Sequence, residues 1–152
     1  MSVVTWPSPF GYTIFCDDIR REIGGKNTFV GVYNAELIVN SKPPIVLARL
    51  ALAITYHERF GEETKPVEIR VYFPGDADDN PRVKAALPAD FRSAVPANED
   101  TPQTDAMVSM TFYLNLSPVE LNAAGVIRVR AYRGDDEIRL GSLRVKFNPA
   151  QE

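Results

Sequence analysis

Residues 107–116 read Met107-Val108-Ser109-Met110-Thr111-Phe112-Tyr113-Leu114-Asn115-Leu116. Apolar side chains at 108, 110, 112, 114 and 116 alternate with Ser109, Thr111, Tyr113 and Asn115. Side chains on a strand point to opposite faces in turn, so period two marks a strand with one face in a core and one in solvent. The same period recurs outward along the chain. Val67, Ile69, Val71 and Phe73 alternate with Glu68, Arg70 and Tyr72, and Ile127, Val129 and Ala131 alternate with Arg128, Arg130 and Tyr132. Leu50, Leu52, Ile54 and Tyr56 form a further set, but Ala51 and Ala53 make its second face apolar as well, which predicts a central strand covered on both sides. Segments 11–16, 28–33 and 36–39 are rich in β-branched and aromatic residues and read as strands by propensity.

In the last strand Ile138 and Leu140 are in phase, whereas Leu143, Val145 and Phe147 are shifted by one position. A one-residue slip would turn every later side chain to the wrong face, so a β-bulge is expected at Gly141-Ser142. Arg133-Gly134-Asp135-Asp136 and Gly24-Gly25-Lys26-Asn27 read as hairpin turns. Ser117-Pro118-Val119-Glu120 has the pattern of a capping box with proline at the first helical position, and Gly125 would end the helix. A short helix near 118–124 is the expectation. Residues 76–105 form a long, acidic, proline-rich loop carrying Pro81, Pro88, Pro96 and Pro102, with a short strand or helical turn expected at 83–87. The predicted fold is all-β: one domain over 1–152, an antiparallel two-sheet sandwich of seven to nine strands, immunoglobulin-like or C2-like.

Composition agrees. The chain has 152 residues, 45% hydrophobic and 24% charged, within the range of globular domains and outside that of disordered or collagen-like chains. One cysteine, Cys16, rules out an intrachain disulfide and points to a reducing compartment. Met1 to Pro9 has neither a basic nor an apolar signal region, and the apolar stretch 45–56 contains Arg49 and is too short for a bilayer. The expected localisation is cytoplasmic, with no membrane partner. A net charge of −3 gives no general attraction to nucleic acid.

Two resemblances follow. The run of strand, one short helix, Gly125-x-Ile127-Arg128-Val129-Arg130 strand, turn and final strand resembles the E–F–G end of immunoglobulin-like sandwiches. It departs from them at Ile127, which stands where the corner tyrosine would be, and in having no cysteine pair. Phe15-Cys16-Asp17-Asp18-Ile19-Arg20, Glu22, Gly25-Lys26 and Gly31-Val32-Tyr33, with the closing segment 125–145, resemble a family of small bacterial proteins of unknown function. That resemblance implies a bacterial cytoplasmic protein and brings no catalytic residues with it.

No catalytic residues, metal ligands or cofactor are assigned from the sequence. Cys16 and His57 are the sole thiol–imidazole combination, and a nucleophile would need them within hydrogen-bond reach. Asp76, Asp78 and Asp79, with Asn80, are the densest oxygen cluster, but Pro81 and Leu87 occupy the EF-hand's glycine and glutamate positions. Arg133-Gly134-Asp135 spells an integrin-recognition tripeptide and is equally good turn chemistry. Neither a phosphate-binding glycine loop nor a Gly-x-Ser-x-Gly elbow occurs. Arg128, Arg130, Arg139, Arg144 and Lys146, with Tyr132, lie out of the apolar phase on two strands expected to pair, and form a basic stripe suited to a partner. The leading expectation is a non-enzymatic protein-interaction or assembly domain that acts on a protein partner or as a homo-oligomer. A calcium- or small-ligand-binding module using the Asp76–Asn80 loop, and an enzyme using carboxylates or Cys16, are the alternatives.

Overall fold

A computed structural model describes residues 7–92 and 106–149. The strands are β1 (Phe10–Arg21), β2 (Asn27–Tyr33), β3 (Glu36–Val39), β4 (Ile45–Leu47), β5 (Leu50–Arg59) and β6 (Val67–Tyr72). They continue as β7 (Val83–Ala86), β8 (Met107–Leu116), β9 (Val119–Leu121), β10 (Gly125–Arg133) and β11 (Asp136–Phe147). One sheet has the order β2-β1-β5-β8 and the other β3-β11-β10-β6-β7, while β4 and β9 form a two-stranded ribbon. Nine strands thus make the two sheets of the expected sandwich. All pairings within them are antiparallel except β11 with β3, which run parallel.

The core lies between the sheets. Leu50, Leu52, Ile54 and Tyr56 of β5 meet Ile69 and Val71 of β6, Ile127 and Val129 of β10, and Leu140, Leu143 and Val145 of β11. Val108 is buried with them, and Met110, Phe112, Leu114 and Leu116 are half-buried against them because β8 is an edge strand. β5 is central, as its two apolar faces predict, and every residue from Leu50 to Tyr56 is buried. On its outer side Ala51 and Ala53 are small enough to be covered by Cys16, Ile19, Ile14 and Phe29.

The bulge is present. Arg128 pairs with Ser142 and Arg130 with Arg139, so Leu140 and Gly141 together oppose Val129 alone. Gly141 has φ +116, a conformation that side chains disfavour, and the extra residue lets Leu140 and Leu143 both face inward. Arg133 pairs with Asp136 around a two-residue turn that begins with Gly134 at φ +59.

The helix near 118–124 does not form, and no residue described is helical. Val119–Leu121 is strand β9, paired with Leu47, Val46 and Ile45 of β4. Ser117 does not cap; its hydroxyl donates to the Ala48 carbonyl at 2.8 Å. Seven residues cannot meet the cost of helix nucleation by local capping. Val119 and Leu121, by contrast, bury themselves at period two with Glu120 outward. The segment expected at 83–87 is strand β7, paired with β6. Part of the long loop, 93–105, lies outside the described residues.

Candidate functional site: the outer sheet faces

Register and alternation define what each sheet presents to solvent. On the first sheet the outward positions of β1, β5 and β8 are Phe10, Tyr12, Ile14 and Cys16, then Ala51, Ala53, Thr55 and His57, then Ser109, Thr111, Tyr113 and Asn115. Val32 of β2 joins them beside Cys16. The middle of this area has no Asp, Glu, Lys or Arg, and Tyr12, Val32 and Tyr113 are exposed, while Asp18 and Arg20 of β1 and Arg59 of β5 continue the same phase at its ends.

The second sheet is the opposite. Lys84 of β7 pairs directly with Arg70 of β6, Arg70 with Arg130 of β10, and Arg130 with Arg139 of β11. Four cations therefore cross the sheet in one transverse row. Like charges in direct opposition repel, and two carboxylates from the next row offset part of this. Glu68 reaches Arg70 at 2.5 Å and Lys84 at 3.8 Å, and Glu137 reaches Arg130 at 3.1 Å. Among the described residues no carboxylate lies within ion-pair distance of Arg139. The row keeps a surplus of positive charge in a chain whose net charge is −3.

Beside the row, a cleft of about 240 Å³ is lined by Tyr72, Asp78, Arg128, Arg130, Tyr132 and Glu137. The guanidinium of Arg128 stacks 4.8 Å from the Tyr72 ring centre, and that of Arg70 lies 4.2 Å from the Tyr132 ring centre. The two phenol oxygens are 3.4 Å apart, and the Tyr72 hydroxyl donates to the Asp78 carbonyl at 3.0 Å. Tyr72 is consequently buried beneath Arg128 and the loop, although it faces outward in the strand. Burial, then the neighbouring Tyr72 hydroxyl, push the Tyr132 phenol up to about 12. Hydrogen bonds to Tyr72 and Glu68 raise Arg70 further above its ordinary value, so it is a permanent cation.

Of the six residues read as a partner stripe, Arg128, Arg130 and Tyr132 line the cleft and Arg139 closes the row. Arg144 and Lys146 sit toward the far end of β11 beside β3, where Lys146 pairs with Glu36 at 2.7 Å. Sequence reasoning missed Arg70 and Lys84. Their outward phase was readable, but nothing local says that β6 and β7 extend the same sheet.

The other candidates separate. Cys16 lies opposite Ala51 and His57 opposite Phe10, six residues along β1, which at the rise of an extended strand is about 20 Å. They form no dyad. The Cys16 thiol is fully buried, its pKa raised by that burial, and it donates to the Asp18 carbonyl. His57 stacks on Phe10 at 4.5 Å and hydrogen-bonds Ser109, and burial lowers its pKa. Asp76 is already engaged: one oxygen accepts from the Phe73 amide at 2.9 Å and the other from Arg82 at 3.2 Å. Asp78 turns to Arg128 at 3.3 Å. Among the described residues no three His, Cys, Asp or Glu side chains are grouped to hold a metal ion, and no helix is long and apolar enough to cross a membrane. The Arg133 guanidinium points into the core, so Arg133-Gly134-Asp135 is not displayed as a tripeptide.

These observations define the class: an all-β sandwich with one outer face uncharged at its centre and the other crossed by a row of cations. Residues 11–146 match the family of unknown function DUF6941, and the chain belongs to that family. No curated protein and no solved structure matches it.

Proposed function

We propose that this chain is a non-enzymatic interaction or assembly domain of the bacterial cytoplasm, and that the outer face of β7-β6-β10-β11 docks an acidic protein. The observation that carries this reading is the row Lys84–Arg70–Arg130–Arg139. A fold gains nothing from opposing four like charges, whereas a partner surface of opposite sign recovers that cost on docking and is steered toward it. Arginine and tyrosine are also the residue types that anchor interfaces. An immunoglobulin-like topology is supported by strand order: β8 stays in one sheet while β10 and β11 cross to the other beside β6, as E, F, G and C do.

The test is capture from the cell of origin with immobilised chain, alongside light scattering on the free chain. A discrete acidic partner is expected, retained by the parent, released by salt, and lost from Arg139→Glu and Lys84→Glu variants that remain folded. A monodisperse monomer that retains nothing, or a partner held equally by both variants, overturns the reading.

A further inference from the structure

Resting on that reading, we propose that the cleft between Arg128 and Arg130 is an oxyanion subsite, which holds one side-chain carboxylate or phosphoryl group of the acidic partner, and that Asp78 occupies it as an exchangeable stand-in. Arg128 and Arg130 are two residues apart on one face of β10, so their stems are about 7 Å apart, the width of a group with two or three oxygens. Guanidinium groups are shaped to grip such oxygens in pairs. Arg130 is held in place by Nε on Glu137 and Nη1 on the Val129 carbonyl, with its side chain only 12% exposed. Arg128 is held flat on the Tyr72 ring. The two cations are thus fixed before any ligand arrives.

The ion pair already in the cleft supports exchange. Asp78 reaches Arg128 Nη2 at 3.3 Å from a loop, yet its side chain is 92% exposed. An ion pair so exposed contributes little to stability and is readily given up. Its backbone is tethered separately, by the Tyr72 hydroxyl on the Asp78 carbonyl, so the carboxylate can swing out without releasing the loop. Four of the six lining residues are charged, two guanidinium groups and two carboxylates, and the other two are tyrosines, so the cleft suits a small polar ligand gripped by Arg128 and Arg130 and not an apolar one.

Binding of inorganic phosphate and of a hexaglutamate peptide to the full chain, followed through amide resonances of β6 and β10, tests this. Saturable binding is expected for at least one probe, and the probe that binds says which oxyanion the cleft prefers. Arg128→Gln should weaken it about tenfold, the loss of one charge-assisted contact. Asp78→Asn should strengthen it about two- to fivefold by removing the competitor, whereas Asp135→Asn, the same charge change away from the cleft, should not. No saturable binding of either probe, binding indifferent to Arg128→Gln, or equal gains in Asp78→Asn and Asp135→Asn overturns the subsite. The docking reading fails separately, through partner capture that survives Arg139→Glu.

Discussion

Arg133 donates from Nε to Oε2 of Glu58 across 2.9 Å inside the sandwich, and so joins β10 of one sheet to β5 of the other. Glu58 is fully buried. The Tyr56 hydroxyl donates to the same oxygen at 2.8 Å, and Arg92 pairs with Oε1. Arg133 also donates to the Glu63 carbonyl. One carboxylate therefore organises two guanidinium groups, a phenol and the loop after β5.

Removing that carboxylate leaves Arg92 and Arg133 buried without their central partner, and among the described residues Arg133 keeps only the more distant carboxylate of Glu62 at 3.9 Å. Glu58→Ala is expected to cost about 3–5 kcal/mol, the range for breaking a buried pair from one side. Arg133→Met should also destabilise, and the double variant should lose less than the sum, since each change removes the same contact. Urea denaturation midpoints measure all three. A Glu58→Ala midpoint equal to the parent's would show that the network contributes nothing.

How much of this was legible in the sequence depends on whether the determining contact is local. The alternations at Val67–Phe73, 107–116 and 127–131 identified strands and their buried faces, because period two needs only one chain segment. The phase slip between Leu140 and Leu143 located the bulge to within a residue for the same reason. Ser117-Pro118-Val119-Glu120 misled because its capping signals are local, whereas the β4 pairing that decides the conformation comes from 70 or so residues earlier in the chain. The candidate face was half legible. Arg128 and Arg130 announce themselves beside Ile127 and Val129, but their alignment with Lys84, Arg70 and Arg139 is a matter of register between strands far apart in sequence. The Glu58 network was invisible, since a glutamate at the end of an apolar strand reads as solvent-facing until its partners are placed.

Three tyrosines set an alkaline limit on stability. Burial, and then a hydrogen bond to Asp17, push Tyr33 up to about 12; Tyr132 is pushed up to about 12, and burial beside Glu58 raises Tyr56 further. An unfolded tyrosine ionises near pH 10. Between about pH 10 and 12 the folded chain then binds more protons than the unfolded one, so stability falls as pH rises and is fully present below pH 10. Melting temperatures from pH 9 to 11.5 should decline progressively, less steeply in Tyr33→Phe. Equal slopes for the two proteins would contradict the role given to Tyr33.

The β4–β9 ribbon gives a direct contrast between buried and outward positions. Leu121 is almost fully buried, so Leu121→Ala should cost about 2–5 kcal/mol, while Glu120→Ala on the opposite side should be within about 0.5 kcal/mol of neutral. Phe112, half-buried on the edge strand β8, should fall at the lower end of its class, about 3 kcal/mol for Phe112→Ala. Chemical denaturation checks each value. Loss at Glu120 comparable to that at Leu121 would mean the ribbon faces are assigned the wrong way round.

Gly11 marks the tightest approach between β1 and its neighbours. It pairs with Tyr56 and lies on the face of β1 turned toward the second sheet. A Cβ there would fall on the Thr55 carbonyl oxygen and come within 2.7 Å of Leu140 Cδ2. Neither obstacle can move cheaply: the carbonyl belongs to the central strand, and Leu140 is a fully buried residue held by the bulge. Gly11→Ala should therefore destabilise by about 1–3 kcal/mol or more through overpacking, although alanine ordinarily suits a strand at least as well as glycine. Gly61, where an added Cβ meets nothing within 4 Å, is the control. Gly61→Ala should be neutral or stabilising by about 0.4–1 kcal/mol, through the reduced freedom of the unfolded chain. Paired thermal melts distinguish the two positions. Equal midpoints for both variants would show that the sheets can part at Gly11 without cost, which the burial of Leu140 argues against.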